Sequence, residues 1–203
     1  MMRRLAALVL FLALAAVPFL PFGMPVVFSG PFNTPGTLQV LSVALVLAAL
    51  AMSYDLIFGY TGLLSFGHAL PFALGVYGTN LAMIHAGLDY PLAVVVALAG
   101  SVALAVVVGS LALRASGVAF AMVTLAFAEA FSLLVLTDPL RIFGGEEGLP
   151  LASDRVPDLF RGVANTQNIY WLALALSVGT LLVARRIVSS RAGHVFEAIR
   201  ENE

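Results

Sequence analysis

Cysteine is absent from all 203 residues, which excludes disulfides, thiol catalysis and thiolate metal sites. Lysine is absent too, and the ten basic residues are all arginine. A phosphate loop of the form G-x-x-x-x-G-K-[ST] is therefore missing from this sequence. Charge of either sign is scarce, at 10% of residues, where soluble domains carry about 25%. The net charge of −1 excludes the basic field that nucleic-acid binding needs. What fills the chain instead is apolar, at 61%. That balance describes an all-α integral membrane protein, whose first partner is the lipid bilayer.

A helix that crosses a bilayer needs about 20 largely apolar residues. Six stretches qualify: 5–22, 37–58, 69–85, 91–113, 118–136 and 169–188. With a cytoplasmic N-terminus, six crossings put Arg3, Arg4, Arg114, Arg185, Arg186, Arg191 and Arg200 inside. Arg141, Arg155 and Arg161 then lie outside, with Asp89, Asp138, Glu146, Glu147, Asp154 and Asp158. This asymmetry follows the positive-inside rule and favours an even number of crossings. Both termini are then cytoplasmic. Stretch 5–22 also resembles a signal peptide, with Ala13-Leu14-Ala15 as a cleavage site. Its apolar run is long for that role, and a retained helix is the preferred reading.

Between the second and third stretches runs Gly59-Tyr60-Thr61-Gly62-Leu63-Leu64-Ser65-Phe66-Gly67-His68-Ala69-Leu70-Pro71. Lipid tolerates no unpaired backbone, so irregular chain at membrane depth lines a wet cavity or is buried in protein. Transporters build substrate sites from such breaks. Gly59, Gly62 and Gly67 permit unusual backbone, and Pro71 suits a first helical turn. A helix starting near Leu70 would present its positive end to a carboxylate. Gly62, Ser65, Gly67 and His68 are thus candidates for a substrate path. A tight turn with His68 packing at the interface is the competing reading.

Glu129 is the other singular residue, a carboxyl inside an apolar stretch. Such a group is costly and normally faces the bundle interior. It either lines the path or bonds a neighbouring helix. Thr124, a further path candidate, lies five residues earlier and so on a different stripe. Asp55, near the cytoplasmic end of the second stretch, reads as interfacial or break-stabilising rather than as a ligand. Gly75, Gly78, Gly100 and Gly109 permit close helix approach.

Segment 137–168 is a long, acidic, glycine-rich outer loop, either receiving a soluble partner or merely connecting. Segment 189–203 carries Val195, Phe196 and Ile199 on one face of a short amphipathic helix. It docks in a partner's groove or lies on the membrane surface.

Four segments, in order, resemble one family. Gly62-Leu63-Leu64-Ser65-Phe66-Gly67-His68-Ala69 resembles the G-x-x-S-[LF]-G-H-A segment of branched-chain amino acid ABC-transporter permeases. Residues 117–129 resemble their G-x-Y-F-A-x-x-T-L-A-F-A-[EQ] segment, with Ala119 in place of the aromatic. Gly144-Gly145-Glu146-Glu147-Gly148-Leu149 resembles their outer T-G-G-x-x-G-[LI] element, with Phe143 where threonine is usual. Residues 193–203 resemble the start of their cytoplasmic coupling loop. Of the two permease types the chain is closer to the LivM-like one.

The resemblance implies a single transmembrane permease domain over 1–203, with further spans beyond it, so that this chain is partial. It implies a periplasmic loop at 137–168 and a coupling segment from 189. It also implies import of leucine, isoleucine, valine or related small amino acids and amides, urea included, across a bacterial inner membrane. A second permease subunit, two cytoplasmic ATPase subunits and a periplasmic binding protein would be its partners. The ATPases would bind the ATP, and this chain would hold no cofactor or metal. Gly193, Phe196, Glu197, Ala198 and Arg200 would couple to them.

Two other classes compete. A proton-coupled secondary transporter could use the same break with Glu129 as proton carrier. A non-transport scaffold would have no use for a break.

Overall fold

A computed structural model describes residues 2–21 and 31–201, apart from the side chains of residues 2–8 and of Glu197. Phe22, expected to end the first span, and the tail residues Asn202 and Glu203 lie outside the described residues. Among the described residues seven α-helices form: α1 (Met2–Ala16), α2 (Pro35–Thr61), α3 (Ala69–His85), α4 (Tyr90–Ala112), α5 (Gly117–Thr137), α6 (Thr166–Val188) and α7 (Arg191–Glu201). No strand occurs among the described residues.

Among the described residues four helices are long and apolar enough to cross a membrane: α2, α4, α5, and α6 with its preceding turn. At 17 residues α3 rises about 26 Å, short of the roughly 30 Å hydrocarbon core. The first stretch is likewise short, because α1 gives way at Val17–Phe19 to a 3-10 turn containing Pro18. Six helices thus occupy the six expected places, but two of them are shorter than a full crossing.

The contacts divide the chain into two compact units. One comprises 1–53 and 158–192. Its core is Leu38, Leu45, Tyr170, Ala173 and Leu174, with Leu14 and Val17 against it. Tyr170, fully buried, donates its hydroxyl to the Leu14 carbonyl at 2.7 Å. Ser177 donates to the Leu45 carbonyl at 2.5 Å. Each hydroxyl finds a backbone acceptor, as apolar surroundings require.

The other unit comprises 54–157 and 193–203. Here α3 packs most extensively on α4. Gly78 makes the approach possible: a Cβ there would stand 3.3 Å from the Ala97 Cβ. Gly75 faces Ser101 in the same way, its Cβ position 3.7 Å from the hydroxyl oxygen. Gly100 and Gly109, expected to serve the same purpose, face open space. The α3–α4 turn is tight because Gly87, at φ +67°, lets the Leu88 N–H reach back to the Ala82 carbonyl at 3.2 Å. Pro91 then enters the first turn of α4, where no N–H is missed.

One carboxylate orders the first turn of the loop after α5. Asp138 caps α5 in the left-handed conformation. Its side chain accepts the N–H groups of Ile142 and Gly144, both at 2.8 Å. Desolvation pushes the Asp138 carboxyl up. The backbone N–H dipoles of Phe143, Ile142, Gly144 and Arg141 outweigh it and hold the group below the usual carboxylate range. A depressed folded pKa contributes order above the unfolded value of about 3.9, lost as pH falls through the lower folded value. Limited proteolysis of 139–149 should therefore stay flat from neutral pH to about 4 and rise below that. Asp138→Asn, which cannot ionise, should be cut faster at neutral pH.

Candidate functional site

The break begins where α2 runs out of intrahelical donors. Gly62, at φ +78°, turns the chain and gives its N–H to the Phe58 carbonyl at 3.1 Å. Thr61 turns its hydroxyl back to the Ile57 carbonyl. Non-helical chain follows over 62–68, and α3 begins at Ala69.

Inside the break, Ser65 and Gly67 are buried, whereas Phe66 is exposed. Contact with α5 holds the segment in place. The Phe66 N–H donates to the Thr124 hydroxyl oxygen at 3.1 Å. That hydroxyl donates onward to the Ala121 carbonyl at 2.9 Å. Gly67 lies against the same turn of α5, where a Cβ would stand 2.6 Å from the Thr124 carbonyl oxygen. Glycine is needed at 67 for close approach and at 62 for its left-handed φ. Gly59 stays helical, with the Asp55 carboxylate over the position its Cβ would take. Asp55 itself is exposed.

Thr124→Val tests this seam. Valine matches threonine in shape and leaves the Phe66 N–H without an acceptor, at a cost of about 1–3 kcal/mol. Thr124→Ser keeps the acceptor and should cost less. Chemical denaturation of the two variants in detergent should separate them in that order.

Ser65, Gly67, His68 and Thr124 line one cavity of about 160 Å³, walled by Leu104, Val108 and Phe120. At about 30 Å³ per water, that space equals roughly five waters. His68 is half-buried, with its ring edge-on to Tyr54 at 5.4 Å. Gly62 lines a different and larger apolar space, about 420 Å³, beside Phe66 and the start of α5. The start of α3 offers fewer donors than its position suggests. The Leu70 N–H is bonded to the Gly67 carbonyl at 3.0 Å, and Pro71 has none.

Glu129 departs from expectation. It is exposed on α5 rather than turned into its own helices, and it lines none of these cavities. The five-residue offset from buried Thr124 explains this, since it turns the two side chains to different sides of the helix.

Two contacts of the outer loop are not legible in the sequence. Asn80, a lone amide in an apolar helix, clamps the outer loop: it donates to the Pro150 carbonyl at 2.8 Å and accepts the Ala152 N–H at 3.0 Å. A buried amide in such a helix is itself a signal of a polar contact. Phe143, the departure from the outer motif, is buried between Tyr77 and Phe131, with ring centroids 6.1 and 6.2 Å away.

In α7, Gly193 is buried, Phe196 is half-buried, and Ala198 and Arg200 are exposed. Val195 and Ile199 are 55% and 43% exposed, an unburied i, i+4 pair. The Glu197 side chain lies outside the described residues. Arg200 is spent within the chain, giving its Nη1 to the Gly59 carbonyl at 2.8 Å.

Comparison with known proteins places this arrangement. The family model described as "Branched-chain amino acid transport system / permease component" matches residues 36–203. The high-affinity branched-chain amino acid transport system permease protein LivM of Escherichia coli (strain K12) is 26% identical, with 83% of this chain and 44% of the relative covered. The protein of the same name from Salmonella typhimurium is 27% identical at the same coverage. The chain therefore spans less than half the length of these curated relatives. No solved structure matches it. The match over 36–203 carries both the helix break and the tail helix, and by it this chain belongs to the permease component family of branched-chain amino acid transport systems, whose members are transport subunits rather than enzymes.

Proposed function

We propose that this chain is the permease part of an ATP-binding-cassette importer for branched-chain or related small amino acids, amides and urea among them. The observation that carries the reading is the break between α2 and α3. Its buried Ser65 and Gly67, with His68 and Thr124, line a small, largely apolar cavity beside the start of a helix. An aliphatic side chain suits the walls, and the positive helix end suits a carboxylate. Six crossings, with both termini cytoplasmic and the break re-entrant, fit the arginine distribution. The break then makes up the length that α3 lacks.

The partners are a second permease subunit, two cytoplasmic ATPases and a periplasmic binding protein. ATPase closure moves α7, whose exposed Val195 and Ile199 suit an apolar groove. Gly193, Phe196, Glu197 and Ala198 belong to that coupling face. The outer loop, held by Asp138, Asn80 and Phe143, is the landing surface for the binding protein. Use of Glu129 as a proton carrier gains no support from its place outside the cavity.

Ser65→Leu tests the path. In the transporter that contains this chain, leucine at 65 fills the cavity and should stop uptake without lowering the amount of assembled complex. Ser65→Ala should retain much of it. Uptake at the wild-type rate with Ser65→Leu would remove the cavity from the path.

A further inference from the structure

We propose that Arg200 is the tie between the coupling helix and the helix break: its guanidinium caps the Gly59 carbonyl, so that displacing α7 uncaps α2 and loosens residues 62–68. The proposal deepens the permease reading and rests on it for what moves α7. The tie itself rests on geometry within one compact unit.

The last turn of any helix leaves carbonyls without intrahelical donors. In α2 each of three consecutive carbonyls is satisfied differently. The Thr61 hydroxyl donates to that of Ile57. The Gly62 N–H donates to that of Phe58 at 3.1 Å. The Gly59 carbonyl would take the N–H of residue 63 if the helix went on. The break directs that N–H to the Thr61 hydroxyl oxygen instead, at 3.5 Å. The donor comes from Arg200, 141 residues later in the chain, at 2.8 Å.

Lipid supplies no donor, so a carbonyl freed by a break must be satisfied by protein or by water. A cation also suits this position. The C-terminal end of a helix carries partial negative charge, and the Asp55 carboxylate lies over Gly59. The break thus creates an acceptor, and the tail helix holds the group that meets it. Because Arg200 sits on α7, the quality of this cap depends on where α7 lies. The residues freed by its loss lead directly into Ser65 and Gly67 at the cavity.

Hydrogen–deuterium exchange on the chain in nanodiscs tests the tie without transport, so its outcome is separate from that of the permease reading. Arg200→Gln should raise exchange of the amides of 62–70 by about tenfold, the loss of one charge-assisted hydrogen bond. The α4 amides should be unchanged. Arg200→Lys, which keeps a cationic donor, should retain most of the protection, and Arg191→Gln should match wild type. Wild-type exchange across the break in Arg200→Gln would overturn the proposal. An equal rise in α4 and the break would overturn it too, because Arg200 would then hold the unit as a whole.

Discussion

Gly67→Val should destabilise the chain by about 3 kcal/mol and abolish uptake by the transporter that contains it. A Cβ at 67 stands 2.6 Å from the Thr124 carbonyl oxygen and 3.2 Å from the Thr124 carbonyl carbon and Cβ. These are mostly backbone atoms of a helix, which cannot turn aside as a flexible side chain can. To admit the side chain, the break must move off α5. It then loses the Phe66–Thr124 hydrogen bond and reshapes the cavity that Ser65 lines. Gly67→Ala meets the same carbonyl with less bulk and costs about 1–3 kcal/mol. Gly100→Ala, helical and facing open space, is the control and gains about 0.5–1 kcal/mol from helix propensity. Denaturation in detergent orders the three, and Gly67→Ala as stable as wild type would contradict the close approach.

Phe143→Ala should free the outer loop, at a cost of about 3 kcal/mol. Phe143 is 7% exposed and meets Tyr77 and Phe131 edge-to-face. Truncation loses both the buried area and the aromatic pair energy, about 0.5–1.5 kcal/mol per pair. Phe143→Thr, which places the family's usual residue here, should loosen the loop nearly as much. The neighbouring rings are shaped for phenylalanine in this chain. Limited proteolysis between 141 and 157 is the measurement. Both variants should be cut faster, while Asn80 continues to hold 150–152 through its paired hydrogen bonds. Unchanged cutting of Phe143→Thr would mean that Asp138 alone orders the loop.

Much of this architecture is legible in the residues. Long apolar runs with clear stops predict α3, α4 and α5 to within a residue at each end. The start of α3 follows from Gly67 and Pro71, and the tail helix from the spacing of Val195, Phe196 and Ile199. Periodicity does not reveal where a single polar group points. Glu129 reads as an inward residue because a mid-span carboxyl is costly, yet it is exposed on α5. Gly100 and Gly109 read as packing sites, yet they face space, because helix rotation decides which small residue meets a neighbour. Contacts distant in sequence are the least legible. The Arg200–Gly59, Asn80–Pro150 and Phe66–Thr124 bonds join residues 58 to 141 positions apart. Within the candidate site, the motif at 62–69 supplies the residue types, and contact with Thr124 gives them their geometry.

Energy coupling is the most direct test of the account. Labelled leucine uptake should be measured in cells that lack their own branched-chain uptake and express the transporter containing this chain. Uptake should fall to background when ATP is depleted, persist when the proton gradient is collapsed with ATP maintained, and be competed by isoleucine and valine. Uptake that survives ATP depletion and vanishes with the proton gradient would contradict an ATP-driven importer, and would return Glu129 to the centre of the mechanism.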